Sequence, residues 1–325
     1  MSESINREII DWSGPLGLPN FAAISDADLE AAFAAALPAH MSEIEAIAGS
    51  PDAPTFENTI IALERAGELY ERVSGIFWNL SGADTNDDRQ ALERKLSPEL
   101  SRHHSKIVMN GDLFARVDAL YRDRESLGLD AEADRVLELT WKSFVRSGAQ
   151  LDPDDQAKLA EINERLASLG TAFAQNVLAD EQDYALVLDS EDDLAGLPGF
   201  LRAAMAAAAH ERGHPGKHAV TLSRSIIEPF LTFSERRDLR EEAFNAWIAR
   251  GLSEGERDNR PIVAEMVRLR AEKAALLGYD TYAHLKLDNT MAKSPERVRE
   301  LLETVWPKAR ARAEEEREDL AVRIA

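Results

Sequence analysis

Apolar residues recur at three- and four-residue steps over most of this chain, the spacing that collects them on one face of an α-helix. Between Pro54 and Asn86, the series Ile60, Leu63, Gly67, Tyr70, Val73, Phe77 and Leu80 predicts one long amphipathic helix that stops in the polar cluster SGADTN. Thr55 is placed to cap its start through the hydroxyl, whereas Asn58 is not the Glu or Gln of a full capping box. Leu159, Ile162, Leu166, Leu169, Phe173 and Val177 make a second stripe, and Val298, Leu301, Val305 and Ala309 a third. Ser97-Pro98-Glu99, Asp152-Pro153-Asp154 and Ser294-Pro295-Glu296 each set a capping side chain before a proline, the pattern of a helix start. Ser25-Asp26-Ala27-Asp28 is a similar start without the proline. Glycine marks ends at Gly128 and in Leu277-Gly278-Tyr279. Trp78, Trp141, Trp247 and Trp306 fall on or beside apolar stripes and are expected in the core.

One region has a different rhythm. Tyr184 to Leu188 and Lys217 to Leu222 are β-prone runs, and a helix from about Leu197 to Arg212 lies between them. The expected fold is therefore mostly α, with a small β element around 184–188 and 217–222. The glycine-bounded stretch Gly251 to Asn259 is the best candidate for a mobile surface loop.

Composition narrows the partners. The 325 residues carry 59 acids against 38 bases, a formal net charge of −21, so nucleic acid and anionic lipid would both be repelled. There is no cysteine, which removes disulfides, a thiol nucleophile and thiolate metal sites, and agrees with a reducing compartment. MSESINREIIDW is not a secretory signal, and no apolar run approaches the roughly 20 residues of a membrane helix. The expectation is a soluble, cytoplasmic protein with no nucleic-acid or membrane partner.

One stretch looks catalytic. His210-Glu211-Arg212-Gly213-His214 matches HExxH, in which two histidines one helical turn apart ligate zinc and the glutamate is general base. That chemistry needs helix to continue through the second histidine. Gly213 sits at a helix-ending position, Pro215-Gly216 follow, and a residue before proline is pushed out of the α region. We therefore expect a helix C-terminus here rather than a metal centre. Glu241 and Glu242 are nominal third ligands, but in so acidic a chain some glutamate falls in almost any window.

The other candidates are weaker. His103 and His104 are adjacent, so on a helix they point about 100° apart, and a surface pair is expected. His40 and His284 are isolated. Ser223-Arg224-Ser225 lacks the strained elbow that exposes a nucleophile. Glu314-Glu315-Glu316 lies among arginines and predicts i,i+4 pairs on a solvated face. No residue is assigned a catalytic, cofactor-binding or metal-binding role.

Several long blocks, read in order, carry a resemblance. They are WSGPLGLPNFAAI, PTFENTIIALE…VSGIFWNLSGADTN, SFVRSGAQLDPDDQAKLAEINERLASLGTAFAQNVLADE and DNRPIVAEMVRLRAEKAALLGYDTYAHLKLDNTMAKSPERV. Together they resemble the N-terminal region of the thimet-oligopeptidase-like zinc metallopeptidases, in particular the bacterial peptidyl-dipeptidase and oligopeptidase A branch. The resemblance implies a neurolysin-like helical lobe bordering a channel that admits only short peptides. It also implies a zinc motif of the form HEFGH in a catalytic half that these residues do not include. On this basis 1–180 is expected to be an N-terminal helical region, 181–235 a small α/β element, and 236–325 the start of the catalytic domain. Zinc is expected in the full-length enzyme and not on this chain, with short peptides and the missing C-terminal half as partners. The pattern from Lys308 to Ala325 meets no glycine, proline or cap, so the chain reads as one that continues. A free-standing helical scaffold and a self-sufficient metallopeptidase using His210, Glu211 and His214 remain the competing readings.

Overall fold

The computed structural model describes residues 5–12, 14–253 and 255–324. In chain order the helices are α1 (Arg7–Ile10), α2 (Asp26–Ala48), a π-helical turn (Phe56–Ile61), α3 (Ala62–Arg65), α4 (Glu68–Ala83), α5 (Asp87–Val108), α6 (Gly111–Arg122), α7 (Ala131–Arg146) and α8 (Pro153–Asp183). Then come β1 (Leu186–Leu188), α9 (Gly199–Glu211), β2 (His218–Val220), α10 (Arg224–Phe233), α11 (Arg237–Ile248), α12 (Asn259–Leu276), α13 (Tyr282–Leu287) and α14 (Pro295–Ile324). The fold is mostly α with one small β element, as the periodicity predicts. Its chain divides into two compact units, one of Met1–Ile47, Ile61–His104 and Asn163–Met266, the other of Ala48–Ile60, Ser105–Ile162 and Val267–Ala325.

The first unit holds two apolar clusters. One joins Leu29, Phe33 and Ala36 of α2 to Val73, Ile76 and Phe77 of α4 and Leu92, Leu96 and Leu100 of α5. Phe33 and Phe77 meet edge to face with centroids 5.5 Å apart, the arrangement the ring quadrupoles favour. The other cluster packs Leu201 and Met205 of α9 and Ile227 and Phe230 of α10 around the β ribbon. That ribbon is antiparallel, pairing Leu186 with Val220, Val187 with Ala219 and Leu188 with His218. In the second unit α6 and α7 pack side by side. Phe114 stacks near Phe144, and Tyr121 stacks on Trp141 with centroids 4.1 Å apart.

Several helix signals act as read. Ser25 caps α2, accepting from the Asp28 amide while its own amide donates to the Asp28 carboxylate at 2.9 Å. α8 and α14 begin at the prolines that their start signals specify. Others are corrected. Ser97-Pro98 opens no helix: α5 starts eleven residues earlier, at Asp87, where Asn86 accepts from the Arg89 amide. Ser97 is instead buried in mid-helix, with its hydroxyl 2.7 Å from that of Thr171 on α8.

The single helix expected from Thr55 to Leu80 is broken. Gly67 has φ +83° and separates α3 from α4. Its amide donates to the Glu43 carboxylate at 2.6 Å instead of to a helical carbonyl. A Cβ there would lie 2.9 Å from the His40 ring. Only glycine fits both the left-handed backbone and this approach. At the start of the segment, Thr55 and Asn58 form a reciprocal cap after all, each amide donating to the other side chain. Asn58 completes the cap although it is neither Glu nor Gln, and its oxygen also accepts from the buried Arg116 guanidinium at 2.9 Å.

The tryptophans divide. Trp141 and Trp247 are half-buried, but Trp78 and Trp306 are exposed, Trp306 by 66%. From Arg299 to Ile324 every residue of α14 is exposed, Leu301, Leu302 and Val305 included. The stripe on α14 is real, and from Leu301 onward it is left open among the described residues.

Candidate functional site

The HExxH match lies at the carboxyl end of α9, and the backbone there is specific. The helix runs from Gly199 to Glu211 and ends within the motif. Arg212 has left helical geometry, with ψ +12°, and Gly213 has φ +79°. The Gly213 amide donates to the His210 carbonyl at 3.1 Å, and the His214 amide reaches back to Ala209 at 2.8 Å. This is a Schellman-type closure, in which a left-handed glycine turns the chain off the helix axis. His210 lies in the last helical turn and His214 beyond the turn-off, both exposed. Arg212, inside the motif, donates to the carbonyl of Glu181 at 3.4 Å. The backbone therefore does not set the two imidazoles on successive turns of one helix. Among the described residues no group of three or more His, Asp or Glu side chains is placed to hold a metal ion.

The remaining histidines behave differently from their sequence context. His103 is buried rather than part of a surface pair, while His104 is exposed as the 100° offset requires. The His103 Nε2 lies 3.1 Å from Nδ1 of His40, so His40 is not isolated either. Both rings pack against Tyr70, at 5.4 Å between centroids. Burial holds the His40 imidazolium below its ordinary 6.5, against the opposing pull of Glu43 and Glu71. One ring of the pair must donate and the other accept, which is a structural contact well suited to a neutral imidazole. Nothing local in the sequence marks the face that α5 turns toward α2, which is why this pair is not legible there. His284 joins the cap of α13, its Nδ1 2.8 Å from the Thr281 hydroxyl.

The two β edges are unequal. Ala219 to Leu222 is buried, whereas Tyr184 to Val187 is half-buried. Tyr184 has its hydroxyl buried without a hydrogen-bond partner, and burial with Glu242 nearby pushes it up to about 12. Within the segment expected to be a mobile loop, Gly251, Ser253 and Asn259 bond to α8. Asp180 accepts from the Gly251 amide at 2.7 Å and from the Ser253 hydroxyl at 2.8 Å. Asn259 closes the segment by donating from its amide to the Gly251 carbonyl at 2.9 Å, and its side chain bonds Asn176. Arg250 and Arg257 add ion pairs to Glu181 and Asp183. The acidic side chains at the end of α8 supply what the loop composition does not reveal.

Comparison with known proteins places these elements. The sequence model of peptidase family M3 matches residues 230–324, from the end of α10 through α14. Over 313 residues the chain is 37% identical to the dipeptidyl carboxypeptidase of Escherichia coli K12, covering 96% of this chain and 46% of that protein. Residues 230–324 carry the sequence pattern of peptidase family M3. It is also 28% identical over 319 residues to oligopeptidase A of Haemophilus influenzae, covering 96% of this chain and 46% of that protein. The thimet-like oligopeptidase of Dictyostelium discoideum is 25% identical over 258 residues, or 76% of this chain and 37% of that protein. The chain thus spans about half the length of the curated relatives it matches. The matched residues include α14 with its exposed stripe, but not the HExxH pattern at His210, which precedes them. Among the described residues no helix is long and apolar enough to cross a membrane.

Proposed function

We propose that this chain is the N-terminal part of a cytoplasmic zinc metallopeptidase that hydrolyses short peptides, and that it does not act as a peptidase alone. The observation that carries the reading is the turn at Gly213. Zinc peptidase chemistry needs a metal to polarise the carbonyl and activate water, with a nearby base to take the proton. The one zinc pattern in these residues is interrupted by its own backbone, and the residues present do not fit the metal. Zinc ligands then belong to the part of the M3 protein outside this half.

On this reading 1–180 is the helical region, 181–235 the small α/β element and 236–325 the start of the catalytic domain. The helical region forms a wall that limits access to short, unfolded peptides. β1 is the edge along which an extended peptide would pair, since the β2 side is buried. The exposed stripe of α14 is then the surface covered by the remainder of the enzyme. Its apolar residues Leu301, Val305, Ala309, Ala313, Leu320 and Ile324 fall within about 140° of the helix circumference. A face of this kind left open on a 30-residue helix promotes association.

The test is metal analysis together with peptide hydrolysis, for the chain alone and co-produced with the remaining half of an M3 relative. Expected are no stoichiometric zinc and no hydrolysis alone, with both appearing in the complex. One tightly held zinc per chain, lost in His214→Ala, would replace this reading with a self-sufficient peptidase. A chain that ignores the other half would point instead to a free-standing scaffold.

A further inference from the structure

α11 has two distinct faces. Leu239, Ala243 and Trp247 turn inward and pack on the apolar cluster around the β ribbon. On the other side Arg237, Arg240, Glu241, Phe244 and Asn245 follow at three- and four-residue steps, within about 140° of the helix circumference. Together with Leu231 of α10 they line a recess of about 450 Å³. Its wall is mixed: two guanidinium groups, a carboxylate, an amide, and the apolar side chains of Leu231 and Phe244.

The pairing around this recess leaves its charges open. Asp238, next to Arg237 in the chain, is bonded by Arg236 at 2.6 Å, and Arg236 also reaches Asp193. Arg240 donates to the Ser234 carbonyl at the end of α10, which fixes its guanidinium beside the recess and leaves further N–H groups to donate. Arg237 and Glu241 are four residues apart, but the arginine comes first, the weaker order for a pair within a helix. Among the described residues neither of these two side chains has a hydrogen-bond or ion-pair partner. A single exposed arginine or glutamate is an ordinary solvated group. Here both signs of charge open on one volume with an apolar wall, where Phe244 stays 45% exposed.

We infer that this recess binds a zwitterionic dipeptide whose first side chain is apolar. Arg237 and Arg240 take the carboxylate, Glu241 takes the ammonium group, and the first side chain lies between Leu231 and Phe244, with the Asn245 amide bonding the peptide group. The dimensions agree. Cβ atoms four residues apart on a helix are separated by about 5–6 Å, and two extended residues span about 7 Å, so one ligand meets both charges. The order along α11 agrees as well. The arginines come first, then Glu241, then Phe244, which sets the ammonium group and the first side chain at the same end. A simple anion or a simple amine would leave one sign of charge unmet. Hydrolysis of longer peptides releases ligands of this kind; only that connection rests on the proposed function, and binding stands if that reading fails.

The experiment is calorimetric titration of the chain at constant ionic strength with the dipeptide Leu-Ala, with Leu-Ala amide and with N-acetyl-Leu-Ala. One saturable Leu-Ala per chain is expected. Amidation should weaken it by about tenfold or more, and acetylation severalfold, as loss of charge-assisted hydrogen bonds implies. Arg237→Gln should weaken Leu-Ala severalfold and leave Leu-Ala amide unaffected, since the amide has no charge to lose there. Glu241→Gln should likewise weaken Leu-Ala and leave N-acetyl-Leu-Ala unaffected. Both positions are exposed, and circular dichroism checks that each variant folds. No saturable binding, equal binding of the three probes, or Leu-Ala binding unchanged in both variants overturns the site. The titration reads neither zinc nor hydrolysis, so its failure is distinct from failure of the proposed function.

Discussion

α8 and α14 are nearly equal in length, 31 and 30 residues, and both open at a proline behind a capping side chain. Both carry an apolar stripe at helical spacing. Yet α8 buries Leu159, Ile162, Leu169 and Thr171, while α14 buries nothing. α8 is also stitched to its surroundings by polar contacts: Thr171 to Ser97, Gln175 to the Gln90 carbonyl, Asn176 to Asn259 and Arg165 to Glu265. Beyond the contact of Glu296 with His284 at its start, α14 shows a different pattern among the described residues, its arginines pairing with glutamates three and four residues away. A stripe therefore states that a helix seeks a partner; it does not state that the partner lies in the same chain. The two helices are where the fold and the proposed function meet.

The largest expected effect separates the two stripes directly. Leu159 is fully buried beside Gly148, so Leu159→Ala should cost about 2–5 kcal/mol through lost burial and the cavity left behind. Leu301→Ala should stay within about 0.5 kcal/mol, as for most surface substitutions. Urea denaturation of both variants checks this. Equal losses would mean that α14 is covered by another copy in solution, and the contrast between the helices would disappear.

The next effect concerns the polar stitching of α8. Ser97→Ala leaves the buried Thr171 hydroxyl without its partner, a loss of about 1–3 kcal/mol. Adding Thr171→Val, which removes the orphaned hydroxyl, should recover much of that loss. A double variant as unstable as the sum of its singles would show that the two hydroxyls are not coupled.

Which of these features could be read from the sequence follows from their range. Helix starts at Ser25, Pro153 and Pro295 are legible because cap and proline act within four residues. The β ribbon is legible because two β-prone runs flank one helix. The break at Gly67 is not, since its causes, Glu43 and His40, lie more than 20 residues away on α2. The burial of His103 is likewise set by α2, and the anchoring of Gly251 and Ser253 by the Asp180 carboxylate of α8. At His210 to His214 the reasoning is short-range again, and the turn at Gly213 falls where glycine and proline place it.

A smaller effect comes from pH. The imidazole of His40 titrates below its ordinary 6.5 because burial beside Tyr70 and His103 disfavours the charged form, with Glu43 and Glu71 opposing. Between the folded and unfolded values the unfolded chain binds more protons, so stability falls as pH falls. The contribution is whole above about 6.5 and lost as pH drops through the folded value, with a limiting slope of about 1.4 kcal/mol per pH unit. α14 contains no histidine, so its helicity should not respond over the same range. Thermal unfolding between pH 7 and 5.5, with and without His40→Gln, isolates this contribution. An unchanged pH slope in the variant would assign the loss elsewhere.

The smallest effect compares ion pairs on the two helices. Arg165 of α8 grips Glu265 with two bonds, at 2.7 and 2.8 Å, across 100 residues of sequence. Arg312 of α14 reaches Glu315 at 2.9 Å and Glu316 at 3.1 Å within its own last turns. Both arrangements are exposed, so neither should exceed about 1 kcal/mol. Their locations still predict different readouts. Arg165→Ala should lower the cooperative unfolding midpoint slightly, because the pair joins distant segments of one unit. Arg312→Ala should leave that midpoint unchanged and only reduce helical circular dichroism, since i,i+3 and i,i+4 pairs support a helix by about 0.2–0.5 kcal/mol each. A shift of the midpoint by Arg312→Ala would show that α14 unfolds together with the body of the chain, and that its stripe is partnered after all.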